Sequence, residues 1–436
     1  MKKTPLLLLL ATGFSIAGNA QQIQQKEVAR IISTLAADDM QGRLPGTPGA
    51  EKAAAFISGE FRKAGLKPLP GEQGLLQQFY KYQLKSTTTE LVINGQARNW
   101  PVIPVGNTRS LSWVKDTTYN IVHAKDPGAM LGILRNRKKL EKNTLLWIDP
   151  SMAGYLGNIK ASFSERFYDS PEDITAPDAD AKQIVLVFEE EPVADNADWS
   201  IKVTRDVQKQ QFTNVTGMIK GSTKPGEYVI FSGHYDHLGI LPPVAGDSIA
   251  NGADDDASGT TAVITLASYF RKSKPARSII FVAFTAEEMG GYGSGYFSEK
   301  LDPEKVAAMF NIEMIGKESK FGKNSAFITG FEKSDFGTIL QRNLQGSSFH
   351  FYPDPYPEQH LFYRSDNATL AKLGVPAHTI STTQIDKDQF YHTVDDELKT
   401  LDVTNITDII KAIAVSSRSI IKGTDTPTRI KPLNGE

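Results

Sequence analysis

Apolar and polar positions follow three successive rhythms along this chain. Residues 26–65 have helical periodicity, with Ile31, Ile32 and Leu35 on one face of a first helix and Phe56, Ile57 and Phe61 on one face of a second. The Gly- and Pro-rich stretch 41–49 between them predicts a loop. From about 86 to 205 the signal changes to short alternating runs such as 90–93 and 184–188, broken by an Asp- and Pro-rich stretch near 170–182. Beyond 210, fully apolar runs alternate with helical patterns. Strands are expected at 228–232, 278–284, 308–312, 326–329 and 377–381, a helix capped by Ser258 at 258–270, and a closing amphipathic helix at 401–421.

Apolar strands alternating with helices imply an α/β fold: a mixed, mostly parallel central sheet with helices on both faces. The strand-rich region reads as an insert, 86–205, interrupting a discontinuous domain made of 21–85 and 206–425. A length of 436 residues fits that division at roughly 150 residues per unit.

The N-terminus falls outside the fold. Lys2 and Lys3 precede the apolar run 6–10, and a small-residue stretch ends at Ala20. This layout predicts a secretory signal peptide, residues 1–20, cleaved before Gln21. The apolar run is too short to span a bilayer, and no Cys follows it to carry a lipid, so no membrane anchor is expected and the product is read as exported, periplasmic or secreted. With no Cys in the chain, no disulfide supports the fold, and any metal must be held by imidazole and oxygen ligands. Lys and Arg total 48 against 50 Asp and Glu, a net charge of −2 that offers no field for nucleic acid. Oligomeric state is not legible.

In open parallel sheets ligands bind beyond the carboxyl ends of strands, and the candidate residues fall there. His234 and Asp236 follow the first apolar strand, Glu287 and Glu288 the second, Glu313 the third, with Asp255 and His392 in loops of the same domain. Solvated carboxylates would scatter over helix faces instead. Two histidines and three carboxylates balance two zinc ions and a hydroxide, which reads as a two-zinc hydrolase site with Asp255 the candidate bridge. Glu287, beside the ligand Glu288, is placed to act as general base, and Asp236 to accept the ring N–H of His234. No Gly-x-Ser-x-Gly turn and no Gly-rich phosphate loop occurs, which removes serine hydrolase and nucleotide hydrolase chemistry.

The segments 233–239 (GHYDHLG), 252–259 (GADDDASG), 285–288 (TAEE), 311–316 (NIEMIG), 364–366 (RSD) and 391–396 (YHTVDD) resemble, in this order, the co-catalytic zinc aminopeptidases. That family includes the glutamate carboxypeptidases and, as diverged relatives, the glutaminyl cyclases; the resemblance covers about 26–85 and 210–422. It implies one zinc on His234 and Glu313, the other on Glu288 and His392, with Asp255 bridging and Glu287 as base. It also implies an Asp255–Asp256 peptide bond that is often cis, and sometimes a protease-associated insert.

Two positions depart from the family pattern. Glu313 stands where Asp is usual, and Asn367 replaces the His of a Ser-Asp-His motif, a change expected at the pocket edge. Phe362, Tyr363 and Arg364 are expected to shape the substrate pocket, His237 to line the site, and the 42–49 loop and the insert to border its mouth. His123, His350, His360 and His378 are assigned to surface or core, with His360 close to the pocket segment. The function so implied is an exported aminopeptidase acting on peptides. The alternatives are a glutaminyl cyclase-like acyltransferase and a carboxypeptidase of the same fold.

Overall fold

A computed structural model describes residues 22–174 and 182–433. The expected signal peptide lies outside the described residues. The chain divides into two compact units, one formed by residues up to 77 together with 214 onward, the other by 78–213. The second unit extends beyond the expected insert, 86–205, at both ends, because the strands Leu76–Ile93 and Trp199–Ile219 run across those boundaries.

In the first unit the sheet is built from the end of β1 (Trp199–Ile219) and from β2 (Lys224–His234), β3 (Arg277–Phe284), β4 (Val306–Ile312), β5 (Ser325–Ile328), β6 (His350–Pro353) and β7 (Ala377–Ser381), in the order β6-β5-β7-β4-β2-β3-β1. β3 and β4 flank β2 in parallel, β4 pairs parallel with β7 and β5 with β6. The β3–β1 and β5–β7 pairs are antiparallel. Every residue of β3, β4 and β7 is buried, which accounts for the apolar runs of β3 and β4.

Successive side chains of these strands go to opposite faces, each with its own core. Phe231, Phe281 and Phe310 join one cluster with α1 (Gln25–Leu35), α2 (Pro48–Lys63), α3 (Gly259–Phe270), α5 (Phe336–Asn343) and the closing helix α7 (Val403–Ser416), while α4 (Tyr292–Glu299) and α6 (Asn367–Ala371) pack into the other. Ile230, Ile280, Val282 and Met309 join the other with Phe297 of α4 and Leu370 of α6. Register places Phe231 opposite both Phe281 and Phe310, and its ring lies 5.6 and 4.9 Å from theirs. Truncating such a ring to Ala costs about 3–5 kcal/mol. Among the described residues no helix is long and apolar enough to cross a membrane.

Several local expectations are corrected. Ser258 is not a cap: it is already helical, and its hydroxyl donates to the Asp254 carbonyl while accepting from the Ile315 amide. The closing helix ends at Ser416, and a short helix Arg418–Ile421 follows. A hairpin of Gly239–Val244 and Asp247–Ala250, strand β6 and helix α4 have no counterpart in the sequence reading. The hairpin strand is mostly exposed and α4 carries two glycines, so neither has a legible apolar period.

The second unit contains a sheet of Val102–Pro104, Ile184–Phe188, Thr144–Ile148 and Asn120–Ala124. Its last three strands are parallel and connected through helices Pro127–Arg135 and Leu156–Phe163, so the insert has helices as well as strands.

His378, on β7, is fully buried, donates from Nδ1 to the Thr329 carbonyl (2.9 Å) and accepts at Nε2 from the Ser334 hydroxyl (2.7 Å). Burial pushes its imidazole down to about 4, against the pull of the Thr329 carbonyl. The unfolded chain therefore binds this proton from about pH 6.5 and the folded chain only near 4, so stability from this group is complete above pH 6.5 and falls with pH below it. Between pH 7.5 and 5, wild type is expected to lose about 2 kcal/mol more unfolding free energy than His378→Gln. Denaturant unfolding of both proteins at the two pH values checks this.

Candidate metal centre

His234 ends β2, opposite Phe284 at the end of β3, so Glu287 and Glu288 follow in the adjacent turn. Glu313 follows β4 directly, its amide bonded to the Ile380 carbonyl of β7. The backbone is bent sharply at these ends: Ala286, Met314 and His392 all have positive φ (58°, 52° and 58°). Left-handed backbone in residues other than glycine is held only where surrounding contacts impose it, and here those residues adjoin the candidate base Glu287 or the candidate ligand Glu313, or are the candidate ligand His392.

The contacts that impose it come largely from aspartates. The Asp255–Asp256 peptide bond is cis. The Asp256 carboxylate accepts from the amides of Gly259 (2.9 Å), Met314 (3.0 Å) and His234 (3.2 Å). Asp254 accepts from the Gly316 amide at 2.7 Å. Asp396, four residues after His392, accepts from the amides of Asp254 (3.1 Å) and Asp255 (3.0 Å). The ends of β2 and β4 and the His392 segment are thereby stitched to the Asp255 loop.

Within that frame one carboxylate faces two imidazoles. Asp255 Oδ1 lies 3.2 Å from His234 Nε2, and its Oδ2 lies 3.2 Å from His392 Nε2. Glu288 Oε2 lies 3.1 Å from the same His392 nitrogen. His234 donates from Nδ1 to the Asp236 backbone carbonyl (3.2 Å), which leaves Nε2 with a free lone pair. The Asp236 carboxylate, expected as the ring's partner, stands farther off at 3.7 Å and accepts instead from the amides of Glu287 and Glu288 (3.2 and 3.3 Å). It orients the turn rather than the ring.

His237, expected as a lining group, is completely buried, and its Nδ1 lies 3.0 Å from Glu288 Oε1. His237, Asp255 and Glu288 form a group whose ligand atoms lie within 4.8 Å of one another. Donation from His237 to Oε1 leaves Oε2 as the free oxygen of Glu288.

The donor set fits a metal. His234 Nε2, His392 Nε2 and Glu313 Oε2 are buried atoms with no hydrogen-bond partner, a costly condition that a cation relieves. The electrostatics agree. Desolvation opposes a charged His392, yet the Asp255 and Glu288 carboxylates raise its pKa to about 10. Burial, with Asp255 nearby, lifts Glu313 to about 7 despite His234, and burial with Glu313, Asp366 and Glu288 holds Glu287 well above the carboxylate range. So many carboxyls ionise together only beside added positive charge.

Glu287, Glu288, Glu313 and Asp255 line a cavity of about 160 Å³, with Phe327, Leu361, Arg364 and Tyr391 among its other walls. Of the three residues expected to shape the pocket, only Arg364 lines it. Phe362 is buried in the second core, so close to Gly330 that a Cβ there would lie 2.3 Å from its ring, and Tyr363 packs against the same core. Asn367 is buried and ties the carbonyls of Phe362 and Ala377, away from the pocket edge. Tyr391 was missed by the sequence reading; its ring stacks on His392 at 3.8 Å, a neighbour relation visible only as adjacency in sequence. His360 and His350 are exposed, and His123 sits between Glu189 and Asp195 in the second unit. The 42–49 loop contributes no wall to this cavity. A larger cavity, about 970 Å³, lined by Arg30, Glu60, Lys63 and Arg271, contains none of the candidate ligands.

The mixed α/β sheet with helices on both faces is the fold class of the zinc aminopeptidases. The family model of peptidase family M28 matches residues 214–416. An aminopeptidase from Aneurinibacillus sp. strain AM-1 has a similar structure, with a TM-score of 0.57 at 17% identity over 95% of this chain and 96% of that one. A probable zinc metalloprotease of Leptosphaeria maculans is 24% identical over 290 residues, 64% of this chain and 53% of that protein. A probable leucine aminopeptidase of Trichophyton verrucosum is 26% identical over 266 residues, 59% of this chain and 67% of that one. The chain thus spans about half the length of the first of these curated relatives.

His237→Phe removes the donor that holds Glu288 Oε1. Zinc affinity is expected to fall about tenfold or more, with the fold retained, as measured by competition with a chromophoric chelator.

Proposed function

We propose that this chain is an exported zinc aminopeptidase that removes N-terminal residues from peptides, using two zinc ions and Glu287 as general base. The observation that carries the reading is the Asp255 carboxylate, whose two oxygens face two different imidazoles that each present an unpartnered Nε2. A carboxylate so placed is suited to bridge two ions. His234 and Glu313 would hold one ion, and Glu288 and His392 the other. Zinc held there would supply Lewis acidity that lowers the pKa of a water and polarises the scissile carbonyl.

The protein's own groups do the rest. Glu287 opens on the cavity beside the ligands and, kept basic by burial and by Glu313, Asp366 and Glu288, moves a proton from water to the leaving amine. The surplus of carboxylates on the cavity wall suits a free α-amino group. A volume of about 160 Å³ accommodates a side chain and not a folded surface, which favours short peptides. Export follows from the expected signal peptide, and the names of the M28 relatives support zinc and aminopeptidase chemistry.

Mass spectrometry of a mixed peptide library incubated with the mature protein, with and without a chelator, tests the reading. Chelator-sensitive stepwise loss of N-terminal residues is expected. Ammonia loss from N-terminal Gln without shortening would mean a cyclase, and C-terminal trimming a carboxypeptidase. Glu287→Gln is expected to keep its zinc, by elemental analysis, while kcat falls about 10²–10⁴-fold. Full turnover in that variant would sink the role given to Glu287.

A further inference from the structure

Arg43 lies in the turn between α1 and α2, far in sequence from every candidate ligand, yet it is among the most deeply buried charges of the molecule at 1% exposure. Among the described residues no carboxylate forms an ion pair with it. Its guanidinium donates only to backbone carbonyls: Nε to Tyr235 (2.6 Å), Nη1 to Leu35 and Asn251 (both 2.6 Å), and Nη2 to Gly252 (2.9 Å). Its own carbonyl accepts from the His237 amide at 3.4 Å.

Those partners are not a random sample of the backbone. Tyr235 stands between His234 and Asp236, and Asn251 and Gly252 lead into Asp254–Asp256. The two loops that carry His234 and Asp255 are separate in sequence and joined through the exposed hairpin 239–250. One planar fork with fixed donor directions holds both loops at once, which a Lys ammonium on a flexible stem cannot reproduce.

The surroundings are shaped to admit this turn. Arg43 itself has a positive φ of 49°. Gly42 has φ of 64°, and a Cβ on it would lie 2.4 Å from the Gly239 carbonyl oxygen and 2.7 Å from that of Ala250, the two ends of the hairpin. Gly252 has φ of 54°, and a Cβ there would lie 2.5 Å from the His237 ring. A bulky, strained, fully desolvated cation is therefore wedged where the bases of the two ligand loops meet. Holding α1 to the sheet would need only the Leu35 contact; the other three acceptors all belong to the ligand loops.

We propose that Arg43 is a positioning residue of the metal centre: it clips the His234 loop to the Asp255 loop so that the ligands hold their spacing before any ion binds. The proposal rests on the reading that these loops carry zinc. It assigns to the Gly-Arg turn a part in metal affinity and turnover rather than a place at the mouth of the site.

Arg277 supplies the control. It is equally buried, at 2% exposure, and donates to the carbonyls of Ile420 and Asp425, to Thr426 and to Glu227, but it begins β3, at the opposite end of that strand from Glu287. Zinc titration of the metal-free full-length mature protein, thermal unfolding and peptidase kinetics are compared for wild type, R43K and R277K. R43K is expected to bind zinc at least tenfold more weakly and to lose at least tenfold in kcat with KM within threefold of wild type. R277K is expected to lose thermal stability with zinc affinity unchanged. Zinc affinity in R43K equal to that of R277K overturns the proposal.

A wild type that binds no zinc overturns the metal reading and the proposal with it, whereas a wild type that binds zinc and an R43K that binds it equally well overturns the proposal alone. Should R43K fail to fold, hydrogen exchange of zinc-free wild type decides. The amides of His237 and Ala257, bonded to the carbonyls of Arg43 and Gly252, are expected to be protected without zinc. Free exchange that becomes protected only on zinc addition overturns the proposal.

Discussion

The organising constraint of this molecule is the burial of negative charge at one edge of a sheet. Asp236, Asp254, Asp255, Asp256 and Asp366 are all at or below 2% exposure, a density of carboxyls that an apolar interior does not tolerate without compensation. The compensation has two forms. Asp236, Asp254, Asp256 and Asp396 are spent on main-chain amides, eight of which end on them in the 234–316 region. Asp255, Glu288 and Glu313 instead turn oxygens toward imidazoles or toward no partner at all. The first group makes the loops, and the second supplies the candidate ligands.

That division explains why the sheet is arranged as it is. Parallel neighbours β3, β2 and β4 present their carboxyl ends together, so the turns after them lie side by side and carbonyl-directed strand pairing leaves amides free beyond the last ladder bond. Aspartates accept those amides. The left-handed residues Ala286, Met314 and His392 mark where the chain has been turned further than its side chains prefer, and each lies beside the candidate base or beside or at a candidate ligand. The cost is supported by the two apolar layers below, in which Phe231, Phe281 and Phe310 lock the same three strands in register.

Much of this was legible in the sequence because it depends on period and position. Apolar runs identified β2, β3 and β4, and polar residues immediately after them marked the edge where the candidate ligands gather. What was not legible depends on contacts without a period. The Gly-Arg turn reads as an ordinary Gly/Pro loop, since nothing in one dimension shows that Arg43 meets Tyr235 and Gly252. Asp236 was assigned by spacing to the His234 ring, but it meets the turn of another strand. Phe362 and Tyr363 sit next to a pocket residue in sequence, and a single step along a helical turn sends them into the core. Asn367 likewise belongs to the backbone framework beside β7, so its difference from the family motif has no direct reach into the cavity.

The way the centre is supported bears on how binding and folding are coupled. In small metal domains the ligands are brought together only by the ion, and binding free energy is folding free energy. Here the groups that shape the ligand loops, Asp254, Asp256, Asp396 and Arg43, are engaged in hydrogen bonds within the chain, and the sheet beneath has an apolar core on each face. Among the buried atoms left without a hydrogen-bond partner are His234 Nε2, His392 Nε2 and Glu313 Oε2 of the candidate ligands. The free energy of metal binding is then directed at relieving His234, His392 and Glu313 rather than at assembling the fold. A frame built in this way also tolerates Glu at position 313: its amide is held by Ile380 and the next residue by Asp256, so the extra methylene changes where the oxygen arrives without disturbing the strand end that carries it.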